Sequence, residues 1–449
     1  MKHTLILAIL LLATTAHAQI GRRFPSEKKV IKDPVTGTPL TFLTSTPAGD
    51  SKIYQTHNQW TSDLQWLIFR SGRAKNEAMA VNEKTGEIVQ VSEGGYTGML
   101  NVARHAMKLY FMRNPNGADD GGKEPAALQI VEVDLAKVFA DSKAGHMQPA
   151  SAYQRICGTT PPELKAGGDM ALDGDENWAY FRVGKEEAAR HLAPGTKLET
   201  EFGPRHMGAG PAGIAAMNVH TGAIKYVVSV PFQIGHIQTN PWVPGEIVFC
   251  WETGGKSPQR TWTVQADGSG LRPLYPEAEY EWVTHEAVIT KDETAFAIMG
   301  HRPIPAVAKD VAPGTPVAGA NPGQEAAWGP SGTREKPTGL AIVNHRTREM
   351  TIVGQTPSGS GLWHVSGSPD GRWAVGDDFA RNIYLIDRHT REMLLLSTGH
   401  KTTAADHPHP TMSPDGTRVE IQSAMLSADG RSMNICVIPV PEAWLKRKY

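Results

Sequence analysis

The chain reads as all-β, a seven-bladed β-propeller of four-stranded antiparallel blades closed by the N-terminal strand. Three observations predict this. A pattern of turn, short polar cluster and β-rich run recurs seven times. Most of these runs are followed by a second hairpin with its own turn. The 45 Gly, 32 Pro and 11 Trp among 449 residues favour many turns and aromatic strands over long helices. Two successive hairpins make a four-stranded sheet, and seven such sheets close into a ring.

The runs follow in order. The first, 61–69, leads from Thr61-Ser62-Asp63 into Trp66-Leu67-Ile68-Phe69, and the second, 106–112, ends in Leu109-Tyr110-Phe111-Met112. The third, 172–181, turns at Asp173-Gly174 before Trp178-Ala179-Tyr180-Phe181. The fourth, 244–251, turns at Pro244-Gly245 before Ile247-Val248-Phe249-Cys250-Trp251, and the fifth, 290–298, at Lys291-Asp292 before Ala295-Phe296-Ala297-Ile298. The sixth and seventh, 368–375 and 413–421, share a Ser-Pro-Asp-Gly turn, in which Pro presets φ and Gly accepts φ > 0. Second hairpins follow at 78–91, 215–228 and 383–396. The last strand, 434–438, needs a partner, which 38–44 is expected to supply as the outer strand of the final blade. Uneven spacing places insertions in loops, the main ones at 184–211 and at 300–336, where six prolines preclude a regular element.

Compartment and composition narrow the function. Lys2 and His3 precede an apolar run, and Ala16-His17-Ala18 supplies small residues for cleavage, so 1–18 reads as a signal peptide and the mature protein as exported, periplasmic or secreted. The apolar run is too short to span a bilayer, and no later segment reads as a membrane helix. Cys157, Cys250 and Cys436 are an odd count, and the latter two sit in apolar strand runs, so buried thiols rather than disulfides are expected. With 45 Lys+Arg against 46 Asp+Glu the net charge is -1, which gives no field for nucleic acid or an anionic membrane.

Asp406-His407-Pro408-His409-Pro410 carries the chemistry. Two imidazoles at i and i+2 that enter a strand together can both face one metal ion. His236, His285 and His364 lie in similar settings, and equivalent positions of a repeated unit converge on the axis of a ring. Abstracting a weakly acidic carbon-bound proton needs a base poised near neutral pH and a positive charge for the anion that develops. A neutral imidazole and a divalent cation meet those needs.

Asp33-Pro34-Val35-Thr36-Gly37, Ile234-Gly235-His236, Ile247 through Glu252, Arg260-Thr261-Trp262, Thr284-His285-Glu286 and His407-Pro408-His409-Pro410 are, in order and spacing, similar to the oligogalacturonate lyase family. The resemblance implies a seven-bladed propeller that cleaves galacturonate oligomers by β-elimination with a manganese-type cation. It implies that His236 abstracts the proton and that His285, His407 and His409 hold the metal. A glutamine ligand of the family falls on Ala404, which cannot bind metal, so Asp406, another side chain or water takes its place. A family arginine falls near 211–213, and Arg205 and Arg260 are candidates to stand in for it.

Manganese is the expected ion, although calcium, zinc or nickel would also suit the ligands. His364 is expected to line the pocket or touch substrate. Trp251, Trp282 and Trp363 either stack on sugar faces or pack in the core. Arg260 pairs with a substrate carboxylate, or with Glu252 or another acid. Lys52 is a further cation of that kind. The expected function is a metal-dependent lyase acting on an acidic oligosaccharide. The alternatives are a non-catalytic TolB-type propeller that binds a protein or glycan, and a lyase for a different uronate polymer.

Overall fold

The computed structural model describes residues 19–116, 127–201, 207–254, 257–278, 281–301, 338–356 and 361–449. The expected signal peptide, Arg205 and the 300–336 insertion beyond His301 lie outside the described residues.

Seven antiparallel sheets follow one another in chain order. In blade 3, for example, Gly167–Leu172, Trp178–Val183, Ala209–Asn218 and Ile224–Phe232 pair in succession. The first strands of blades 2 to 7 touch one another in succession, so they line the axis of the ring. Second strands such as Trp66–Ser71 and Glu246–Trp251 are buried along nearly their whole length. A blade packs against a neighbour on both faces, which is why these strands read as unbroken apolar runs rather than alternating ones.

The ring closes where the sequence places the closure. Blade 7 takes Thr411–Met412, Arg418–Ser423 and Asn434–Pro439 from the C-terminal end and Pro39–Phe42 from the N-terminal end, with Thr41 opposite Val437 and Phe42 opposite Cys436. Lys29–Lys32 adds a fifth strand outside it, and Arg23–Phe24 pairs with Ile88–Gln90 of blade 1. The N-terminal segment therefore ties the first blade to the last.

One turn recurs at the outer hairpins. Asn82, Asn218, Asn344 and Asp387 each accept two backbone N–H bonds from the residues two and three positions on. Asp33 does the same in the N-terminal hairpin of blade 7. These are side-chain mimics of a backbone turn, and each precedes a Thr.

Two insertions hold helices that the strand pattern does not show. Leu135–Ala144 starts at Asp134, which accepts from the Lys137 N–H, and ends at left-handed Gly145. Lys185–Arg190 opens the 184–211 insertion, which is therefore not wholly irregular. Cys157, Cys250 and Cys436 are free and buried. Among the described residues no helix is long and apolar enough to cross a membrane.

Candidate active site at the mouth of the propeller channel

Three histidines at the channel have left-handed backbone: His236 at φ 48°, His285 at φ 54° and His409 at φ 50°. His236 and His285 lie where the first strands of blades 4 and 5 slip register against their second strands, between Gly235 and Gln238 and between Thr284 and Ala287. Such bulges re-aim a side chain, and non-glycine residues hold the left-handed region at a cost of roughly 1–3 kcal/mol each. The same device thus presents an imidazole from adjacent blades.

His236 sits in a buried charge network. Its Nδ1 is 3.2 Å from Oε1 of Glu286, whose Oε2 accepts the Nε–H of Arg260 at 2.9 Å. Burial alone would raise the Glu286 carboxyl, but Arg260 and His236 bring it down to about 2. The ionised carboxylate favours a proton on Nδ1, although Nη2 of Arg260 also approaches that atom at 3.3 Å, and with Nδ1 protonated Nε2 is the basic atom. Nε2 lies 3.6 Å from Oε2 of Glu252, which also lies 3.8 Å from Nη2 of Arg260. Burial opposes charge on His236, but Glu286 and Glu252 outweigh it and raise its proton affinity.

The other histidines form one cluster. The His364 ring lies 4.3 Å from His285, 5.2 Å from His407 and 3.7 Å from His409, centroid to centroid. Burial first, and repulsion from His364 second, hold His285 well below its ordinary value. Burial and His409 push His364 down to about 3. Asp377, fully buried, faces Nδ1 of both His364 and His407 at 3.2 Å. Burial would raise Asp377, but these two imidazoles draw it far below the carboxylate range.

This donor set suits a divalent cation. Ligand atoms of His364, Asp377 and His407 all lie within 4.8 Å of one another. Nε2 of His409 donates to Oδ2 of Asp406 at 3.0 Å, and its Nδ1 lies 2.9 Å from Oε1 of Gln55. Burial lowers His409, and Asp406 is lowered as well, against its own burial, mainly by His409. Once the Nε2 proton leaves, the imidazole nitrogen and the carboxylate oxygen are two ligand atoms side by side. A second group, His236, Cys250 and Glu252, also brings ligand atoms together, but burial keeps the Cys250 thiol protonated. That disfavours it as a metal site.

A cavity of about 600 Å³ opens beside His236, His285 and Trp363, within the range of small-molecule sites. Tyr54 walls it, its ring 4.9 Å from His236 and 5.1 Å from His409.

The structure brings His236, His285, His364, His407 and His409 together at this mouth. Arg260 is there too, but it is 2 % exposed and engaged by Glu286 and Glu252. Trp251 is not brought to the cavity: it stacks on Phe232 at 4.9 Å in the core and donates to the Gly208 carbonyl at 3.0 Å. Lys52 is buried, donating to the Ile53 carbonyl and to Oγ1 of Thr411 at 2.8 Å. Ala404 offers no ligand, whereas Gln55 and Asp406 place oxygens beside His409. Tyr54, Gln55 and Asp377 are site residues with no local motif to mark them.

No protein-family model and no curated protein matches the sequence. Many solved structures match in shape, two of them over nearly the whole of both chains with a TM-score above 0.6. One is an oligogalacturonate lyase in complex with manganese, at TM-score 0.69 and 17% identity, covering 96% of this chain and 100% of that one. The other is an oligogalacturonate lyase from Vibrio parahaemolyticus, at TM-score 0.65 and 18% identity, covering 95% of this chain and 100% of that one. Over nearly its whole length, then, the chain is similar in fold to oligogalacturonate lyases.

Proposed function

We propose that the protein is a metal-dependent lyase that cleaves uronate oligosaccharides by β-elimination, with His236 as the base. One observation carries the reading: an imidazole backed by an ionised carboxylate opens on the same cavity as His285, whose ring meets His364, which in turn meets His407 and His409.

His285, His407 and His409 would hold the cation, with His364 in the same cluster and Asp406 or Gln55 in place of the oxygen ligand that Ala404 lacks. Manganese is the reading best supported by the similar structure. When bound, the cation supplies positive charge for the C6 carboxylate, where negative charge builds as the C5 proton leaves.

The chain's own residues do the rest. Glu286 keeps Nδ1 of His236 protonated, so Nε2 takes the C5 proton of the sugar. The electrons of that C–H bond form the C4=C5 double bond, the C4–O bond breaks, and the leaving oxygen takes a proton from water. Glu286 then faces an imidazolium, which it stabilises. Arg260 holds Glu286 ionised and in place, and Tyr54 and Trp363 wall the site. The leader-like segment 1–18 supports an exported enzyme.

The test is to incubate the protein with oligogalacturonates and other uronate oligomers, with EDTA or added manganese, and follow absorbance of the unsaturated product. A rise that EDTA abolishes and manganese restores is expected. Binding without a rise on any uronate substrate would favour a non-catalytic glycan-binding propeller instead.

A further inference from the structure

The cavity has a second wall that the elimination chemistry does not use. Arg70, on the second strand of blade 1, and Arg182, on the second strand of blade 3, both line it. Arg70 reaches only the Gly98 carbonyl at 3.4 Å and Sδ of Met99 at 3.3 Å through Nη2, and its Nε is buried without a hydrogen-bond partner among the described residues. Arg182 makes no hydrogen bond or ion pair to a described residue. The acids nearby do not neutralise them. Glu252 faces His236 and Arg260, and Asp169 accepts from the Ile237 N–H and feels Arg182 only through space.

Glycines make the room. Gly167 lies opposite Arg182 across the strand pair, and a Cβ there would come within 2.9 Å of the guanidinium. Gly98 and Gly168 meet backbone to backbone, since a Cβ on Gly98 would fall 1.7 Å from the Gly168 carbonyl oxygen. Gly98 and Gly168 both line the cavity and add no side chain to it.

A half-buried guanidinium with N–H groups to spare presents a planar fork that matches a carboxylate. We propose that Arg70 and Arg182 form an acid-reading subsite that takes the carboxylates of uronate residues flanking the one held at His236. This rests on the lyase reading of the His236 site for which sugar reacts, though not for binding.

The test is calorimetric binding to His236→Ala protein in manganese, with a galacturonate trimer and its fully methyl-esterified form. The trimer is expected to bind at least about tenfold tighter than the ester. Arg70→Gln and Arg182→Gln should each weaken the trimer by roughly tenfold to a hundredfold and leave the ester unchanged. Arg70→Lys and Arg182→Lys, which keep charge but lose the fork, should fall between, and unchanged thermal unfolding shows that the variants are folded. Equal binding of trimer and ester, trimer binding indifferent to both arginines, or no trimer binding at all overturns the subsite. Arginine-dependent binding with no turnover by the unmutated protein would overturn the lyase reading and leave the subsite standing.

Discussion

Glu286 accepts the Nε–H of Arg260 at 2.9 Å on one carboxylate oxygen and faces Nδ1 of His236 at 3.2 Å with the other. All three side chains are largely withdrawn from water. The arginine fixes the carboxylate, the carboxylate favours a proton on Nδ1, and Nε2, 3.6 Å from Glu252, is left as the base. An arginine that the sequence offers as a substrate clamp is, in the fold, a support for the base.

Glu286→Gln keeps the shape of that link and removes its charge. We expect kcat to fall by about a hundredfold to ten-thousandfold with little change in KM, because the amide no longer favours the Nδ1 tautomer or the imidazolium. A steady-state comparison on an oligogalacturonate checks it. A change confined to KM would assign Glu286 to substrate binding.

The histidine cluster predicts stabilisation by metal, read without any substrate. Adding manganese should raise the melting temperature of the unmutated protein, by about 2.7 kcal/mol of stability when the free ion reaches a hundred times its dissociation constant. The double variant His407→Ala/His409→Ala should lose that response. An equal rise in both proteins would place the ion elsewhere.

Phe42 tests the closure of the ring. It is fully buried in the cluster formed by Leu40, Trp373, Val375 and Cys436, on the N-terminal strand that completes blade 7. Phe42→Ala should cost about 3–5 kcal/mol in urea-induced unfolding. A loss below about 1 kcal/mol would mean that the N-terminal strand does not hold the last blade.

Lys52 and Glu420 predict a pH dependence. Burial pushes Glu420 up to about 8 despite Lys52, and neither carboxylate oxygen has a hydrogen-bond partner among the described residues. Burial likewise pushes Lys52 down to about 8 despite Glu420. An acid whose folded pKa lies above its unfolded value contributes stability that is full below the unfolded pKa and is lost as pH rises through the folded one. Glu420→Gln should therefore gain melting temperature relative to the unmutated protein between about pH 5 and about pH 9. A difference that is flat across that range would show that Glu420 ionises normally.

Much of the fold was legible because propeller strands announce themselves. The two Ser-Pro-Asp-Gly turns, with Gly371 and Gly416 at φ 74° and 69°, mark the start of second strands whose two buried faces leave continuous apolar runs. The helix Leu135–Ala144 lay hidden in an insertion where no repeat applies. In the site, His407-Pro408-His409 was visible as a local motif, whereas Gln55 meets His409 across 354 positions of sequence. Tyr54, Asp377, Arg70 and Arg182 belong to strands or strand ends of blades 1, 3 and 6, and only closure of the ring brings them to one mouth. Trp251 stands on a second strand, where both faces are buried, and so it packs in the core.

Manganese content measured beside turnover in two single variants tests the central claim most directly. His236→Ala should abolish formation of the unsaturated product and leave bound metal intact, whereas His407→Ala should lower both. Equal loss of metal in the two variants, or turnover that survives His236→Ala, would contradict the assignment of His236 as the base.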